Sequence, residues 1–208
     1  MAYVDEVIKI RLDKQSLVDF TGYDVDNPDA YFKAHPRSKK PPFEGLWGKT
    51  RMGLIPSINK FLNVGAGNPK KTHSKAKEAK KTNDSRIIQN QWEQHLRDYC
   101  THCIKSQGIP SAYLNECIIL AVQFKPTKAK SDVNNIYVKP FIDSIVENEI
   151  LQEDNYTVVR VHMEYAVVDK LDPHSEIIIF PIIKDEYGFD FVIEYVTYYI
   201  KELEEKYF

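Results

Sequence analysis

The sequence predicts an α/β (α+β) chain: a mixed β-sheet with flanking helices, an N-terminal loop insertion and an extra C-terminal helix. Three observations carry that expectation. Residues 4–12, 116–125, 156–169 and 176–183 are short aliphatic runs of strand length and texture. Segments with apolar residues at steps of three and four lie between and after them, the spacing of helices packed on one side. The hydrophobic fraction of 43% and aromatic fraction of 12% suffice for a real core and exclude disorder along the whole chain. A length of 208 residues suits a single domain.

The first strand alternates Ile8, Ile10 and Leu12 with Lys9 and Arg11. From 14 to 53 the texture changes. Asp24, Asp26, Asn27, Pro28 and Asp29 mark turns, and Pro36, Pro41, Pro42, Gly45 and Gly48 break regular structure. Phe20, Tyr23, Tyr31, Phe32, Phe43 and Trp47 also fall here, so the expectation is a long loop packed onto the rest. Asp84 or Ser85 reads as the cap of a helix running to about 107, with Ile88, Trp92, Leu96, Tyr99 and Cys103 as its stripe. Gly108 and Pro110 stop it. The run from Cys117 to Val122 is nearly all apolar, as in a strand buried on both faces. A helix is expected from Asn134 or Asn135 to about 148, with Pro140 tolerated in its first turn. The strands over 156–169 and 176–183, separated by Asp172-Pro173-His174-Ser175, read as a hairpin. A final helix over 190–206 carries Val192, Tyr195 or Val196, Tyr199 and Leu203 on one side, either covering the sheet or extending an interface between copies.

The net charge of −2 gives no global nucleic-acid signature, so any DNA contact must come from local concentrations of positive charge. One is evident: Lys70, Lys71, Lys75, Lys77, Lys80 and Lys81, with Glu78 as the single acid among them. No apolar run reaches the ~18 residues of a membrane span. The N-terminus lacks a secretory pattern, and three cysteines cannot all pair, so a reducing cytoplasm is expected. Cys100-Thr101-His102-Cys103 has the outline of a zinc half-site, but no second Cys pair exists and Cys103 falls on the apolar stripe. It reads as core.

The stretch from 131 to 154 concentrates the chemistry. Asp132 follows a basic loop, Lys139 and Asp143 are four apart and share a helix face, and Glu153-Asp154 precedes a strand. If the helix start and the strand start are neighbours, these carboxylates converge. Magnesium takes hard oxygen ligands of this kind, and phosphodiester hydrolysis needs a metal and a lysine against its developing charge. The same residues also read as an N-cap at Asp132, a solvated turn at Glu153-Asp154 and an exposed Lys139–Asp143 pair.

These residues resemble the RusA-type Holliday-junction resolvases. That family's motif reads Asp-x-Asp-Asn, a Lys on a helix, an Asp, then an Asp-Asp pair before a strand; here stand Asp132-Val133-Asn134-Asn135, Lys139, Asp143 and Glu153-Asp154. The family's earlier Pro-Ser-Asn segment is matched by Pro56-Ser57-Ile58-Asn59-Lys60. The resemblance is strongest over 54–183, with 14–53 as an insertion and 184–208 as a C-terminal helical extension, all within one RusA-like domain spanning 1–208. Three departures stand out. Asn134 replaces the second aspartate, Glu153 replaces the first acid of the later pair, and one extra residue lies between Asn135 and Lys139. In a regular helix that residue would turn the register by about 100°.

The resemblance implies a homodimeric, magnesium-dependent endodeoxyribonuclease, with manganese as a substitute, that cuts branched DNA at four-way junctions. It assigns catalysis to Asp132, Asn134, Lys139 and Asp154, and metal binding to Asp132, Asn134, Asp154 and Glu153. Asp143 is the first candidate, before Glu147 and Glu149, to compensate for the charge missing at Asn134. DNA contacts fall to Asn59, Lys60, Lys70, Lys71, Lys75, Lys77, Lys80, Lys81, Lys128 and Lys130. A bacterial, phage or prophage origin goes with the family. Two alternatives remain open: a weak or inactive junction-binding protein, motivated by Asn134, and an interaction module on a degenerate nuclease fold, motivated by the aromatic segment from Phe20 to Trp47 and by the last helix.

Overall fold

The computed structural model describes residues 6–41, 43–47, 53–57, 75–127 and 136–207, with 44, 45 and 75–85 described by their backbone alone. The fold is α+β, a four-stranded mixed sheet with helices on both faces. Its strands are β1 (Ile8–Asp13), β2 (Cys117–Lys125), β3 (Val159–Val168) and β4 (His174–Pro181), in the spatial order β1-β4-β2-β3. β2 and β3 run parallel, while β4 is antiparallel to both β1 and β2.

The hairpin expected between the last two strands does not form, because β2 lies between them. Burial explains why. β4 is buried at nearly every position and belongs in the middle of a sheet. β3 carries Arg160, His162 and Glu164 at alternate positions and suits an edge. Residues 169–173 cross the end of β2, a span of about 10 Å at the usual strand spacing. The Asp169 N–H donates to Lys125 O at 2.8 Å, and the Asp169 carboxylate accepts from the N–H groups of Leu171 and Asp172.

Alternation along β2 and β4 feeds two cores. Ile119, Ala121, Ile177 and Ile179 face one side, and Ile118, Leu120, Val122, Ile178 and Phe180 face the other. The first face is covered by α4 (Lys75–Ser106) and α5 (Lys139–Glu147), through Leu96, Tyr99, Cys100, Cys103, Phe141 and Ile145. The second is covered by α6 (Phe189–Tyr207), the helix expected at the C-terminal end, through Val192, Val196 and Leu203. Burying those three side chains stabilises by roughly 2 kcal/mol each.

The segment expected to be a loop contains three helices: α1 (Lys14–Thr21), α2 (Pro28–Ala34) and α3 (Glu44–Trp47). Local capping competes successfully with the turn signals there. Asp13 accepts from the Ser16 N–H at 2.8 Å at the start of α1, and Gly22 closes it with φ 67°. Pro28 opens α2. α4 begins at Lys75, ahead of the expected cap at Asp84 or Ser85, because the lysine-rich residues are good helix formers and carry the helix back by more than two turns. α5 begins at Lys139, later than expected. Pro140 excludes a helical turn before it, and the backbone of Ile136 and Tyr137 is engaged elsewhere. Among the described residues no helix is long and apolar enough to cross a membrane.

Candidate active site

Residues 53–57 and the chain just before α5, far apart in sequence, meet beside the sheet. Residues 53–57 are held on it at two points: Ser175 Oγ accepts from the Ile55 N–H at 3.1 Å, and the buried Gln123 amide donates to Ile55 O. Gly53 admits the approach, with φ 70° and its α-carbon against Asp13 O and the Tyr99 hydroxyl. Pro56 O then accepts from the Tyr137 N–H at 2.8 Å, and Ser57 forms an antiparallel bridge with Ile136. The extra residue of the later motif therefore precedes the helix rather than lying within it. Ile136–Val138 are not helical, and Lys139 is the first residue of α5.

Lys139 stands at the centre of the charged cluster. Its Nζ lies 2.9 Å from Asp143 Oδ1 and 3.6 Å from Asp154 Oδ2. One turn of helix brings Asp143 beneath Lys139, while the turn before β3 brings in Asp154. The hydrogen bond that Lys139 donates to Asp143 outweighs the smaller opposing effect of burial and raises the Lys139 pKa, so the side chain remains an ammonium through neutral pH. It is a cation for an anion, not a base.

Asp143 is only 14% exposed, and both of its oxygens are engaged. Oδ2 meets Arg97 Nη2 at 2.8 Å, and Arg97 Nη1 reaches Glu147 at 3.1 Å. Each oxygen of Asp143 thus already has a cationic partner, which lowers the negative charge it could offer a metal. Glu147 is tied to the same arginine. Glu149 has φ 59°, and its carbonyl accepts from the N–H groups of Ala112 and Tyr113, away from Lys139. Glu153 accepts from the Asn155 side chain.

Sequence reasoning missed three participants. Arg97 and Glu93 lie on the charged side of α4. Glu93 accepts from the Tyr137 hydroxyl at 2.5 Å, fixing the residue next to the Ile136–Ser57 bridge. Glu164, on the edge strand β3, accepts from the Ile136 N–H at 3.4 Å. The signal for Arg97 was its place four residues after Glu93, beside the apolar stripe, which reads as a solvated face until α5 is packed against it.

Asp132, Asn134, Asn59, Lys60, Lys70, Lys71, Lys128 and Lys130 lie outside the described residues. Lys75, Lys77, Lys80 and Lys81 lie in the first turns of α4, described by their backbone alone; from Arg86 on, the first buried residue of the helix is Trp92. Among the described residues no three His, Cys, Asp or Glu side chains are grouped to hold a metal. The outlined zinc half-site is core: Cys100 and Cys103 are fully buried, and burial pushes both thiols up to about 12. Compared with known protein families the chain matches no family model, and it matches no curated protein.

Proposed function

We propose that this chain is a magnesium-dependent, structure-selective endodeoxyribonuclease of the RusA type, acting as a homodimer on four-way DNA junctions. One observation carries the reading. Pro56-Ser57 of the earlier motif pairs with Ile136-Tyr137, the residues just before Lys139, and Lys139 reaches Asp154, so described parts of both motifs of the resemblance lie near one another.

The donor chemistry fits a hard divalent cation. Asp154 is half exposed and among the described residues is paired with Lys139, and Asp132, Asn134 and Glu153 would complete an oxygen set. When bound, the metal supplies charge neutralisation and an activated water. Lys139 would hold a non-bridging oxygen of the scissile phosphate, with Asp143 and Arg97 fixing the direction of its ammonium. The lysines early in α4 would follow the DNA backbone without reading sequence.

A second reading is favoured by Asn134 together with Asp143. Asparagine brings no charge, and the carboxylate best placed to replace it is already held by Arg97 and Lys139. A protein that binds junctions without cutting them would have this arrangement. The test is a labelled four-way junction with magnesium, using wild type, Asp132→Asn and Asp154→Asn. The nuclease reading expects nicks from wild type alone and undiminished binding by both variants. Cutting retained in both variants eliminates it, and binding without nicks by wild type selects the second reading.

A further inference from the structure

We propose that the segment from Lys33 to Lys40, the last turn of α2 and the loop after it, is a second contact surface for the sugar–phosphate backbone of DNA, carried by the insertion that packs on the flank of α4 opposite α5 and Lys139. The proposal rests on the nuclease or junction-binding reading above and names a surface which that reading leaves unassigned. Between Ala30 and Phe43 the chain carries Lys33, Arg37, Lys39 and Lys40 and no Asp or Glu. All four cations are exposed, and among the described residues none has a carboxylate partner. Of the preceding acids Asp26 is paired to Lys14, and Asp29, one turn before Lys33 on α2, makes no ion pair with it among the described residues. In a chain of net charge −2, an uncompensated run of this kind is where an anion is attracted.

The loop is anchored at both ends. On one side Tyr31 and Phe32 pack edge-on against Tyr23 at 5.4 and 6.0 Å, and His35 stacks on Tyr31 at 4.3 Å. On the other, Phe43 stacks on His95 at 3.6 Å, and the Trp47 indole N–H donates to His95 Nε2 at 2.9 Å. The cations are therefore presented from a fixed base, which lowers the entropy lost when they meet a ligand. His95 and Arg97 are two residues apart, about 200° around the helix. The insertion thus packs on one side of α4, while α5, with Lys139, packs on the other. A linear duplex seated at Lys139 need not reach the loop. A branched molecule, whose arms leave in different directions, can occupy both flanks.

The test uses the full chain with Lys33, Arg37, Lys39 and Lys40 all changed to Gln. A control of equal net charge carries Lys105→Gln, Lys170→Gln, Lys201→Gln and Lys206→Gln, all at exposed positions. Binding to a fluorescent four-way junction is followed by anisotropy across a salt series, after thermal melts establish that both variants fold. Losing one to two phosphate contacts should flatten the slope of log K against log salt by about 0.9–1.8, and weaken Kd by about 8- to 60-fold at 0.1 M salt. The control should change neither to that extent. Unchanged slope and affinity in the loop variant, with wild type binding normally, overturn the loop alone. Equal losses in the control overturn it too, by assigning the effect to net charge. Absence of wild-type binding at low salt overturns the functional reading and the loop with it.

Discussion

Gly53 offers a measurement in which two contributions to one substitution can be separated. Replacing it with alanine places a Cβ 2.3 Å from Asp13 O, 2.6 Å from Asp13 C and 2.7 Å from the Tyr99 hydroxyl, at a φ of 70°. Two of those atoms are backbone and cannot swing aside. Gly108, at φ 65°, and Gly22, at φ 67°, have nothing within 4 Å of the same ideal Cβ. Alanine at either of these should lose only the left-handed conformational term, about 1 kcal/mol. At Gly53 the same term adds to an overpacking cost of about 1–3 kcal/mol, giving roughly 2–4 kcal/mol. Urea unfolding at 25 °C of the three single variants measures the difference. Because residues 53–57 carry Pro56 and Ser57 to Ile136 and Tyr137, the Gly53 variant should also lose DNA affinity while Gly22→Ala and Gly108→Ala keep it. A Gly53→Ala protein no less stable than Gly108→Ala would refute the close approach and the placement of the motif that depends on it.

Three further outcomes are expected. Burial opposes a charge on His174, but its ring nitrogens face Glu176 and the Asp172 carbonyl, and these outweigh both burial and Arg11 to raise its pKa. Its stabilisation is therefore complete below the unfolded value of about 6.5 and lost as pH rises through the folded value. The melting temperature of wild type should fall more between pH 5.5 and 8.5 than that of His174→Gln, and equal falls would show that His174 is not charged in the fold. Cys100, Cys103 and Cys117 are buried and free, with thiols pushed up to about 12, so a thiol reagent should label none in native protein and all three in urea. Rapid native labelling of any of them would contradict the packing. Arg97→Gln removes the partner of the mostly buried Asp143 and should destabilise by about 1–2 kcal/mol in chemical denaturation. A change below about 0.3 kcal/mol would mean that Lys139 alone satisfies that carboxylate.

The elements were legible where pattern and burial agree. The continuous apolar run from Cys117 to Val122 announced a strand buried on both faces, and the stripe from Trp92 to Cys103 announced a helix. The strand order was not legible. Asp172-Pro173 is good turn chemistry for a hairpin, and only competition for the central position, which the nearly all-apolar β4 wins over the charged β3, places β2 between them. The helices within 14–53 were hidden by proline and aspartate signals that act here as a helix opener and a cap. In the candidate site, the helical spacing of Lys139 and Asp143 and the position of Asp154 before a strand could be read directly. Arg97, Glu93 and Glu164 could not, since each acquires its role from a partner more than 25 residues away.

The central claim is that these converging residues cut branched DNA. The most direct measurement is incubation of wild type with a four-way junction labelled on each strand in turn, in magnesium and in EDTA. Paired nicks on two opposed strands, present in magnesium and absent in EDTA, are the expected result. A junction bound at low salt yet intact in both magnesium and manganese would contradict it.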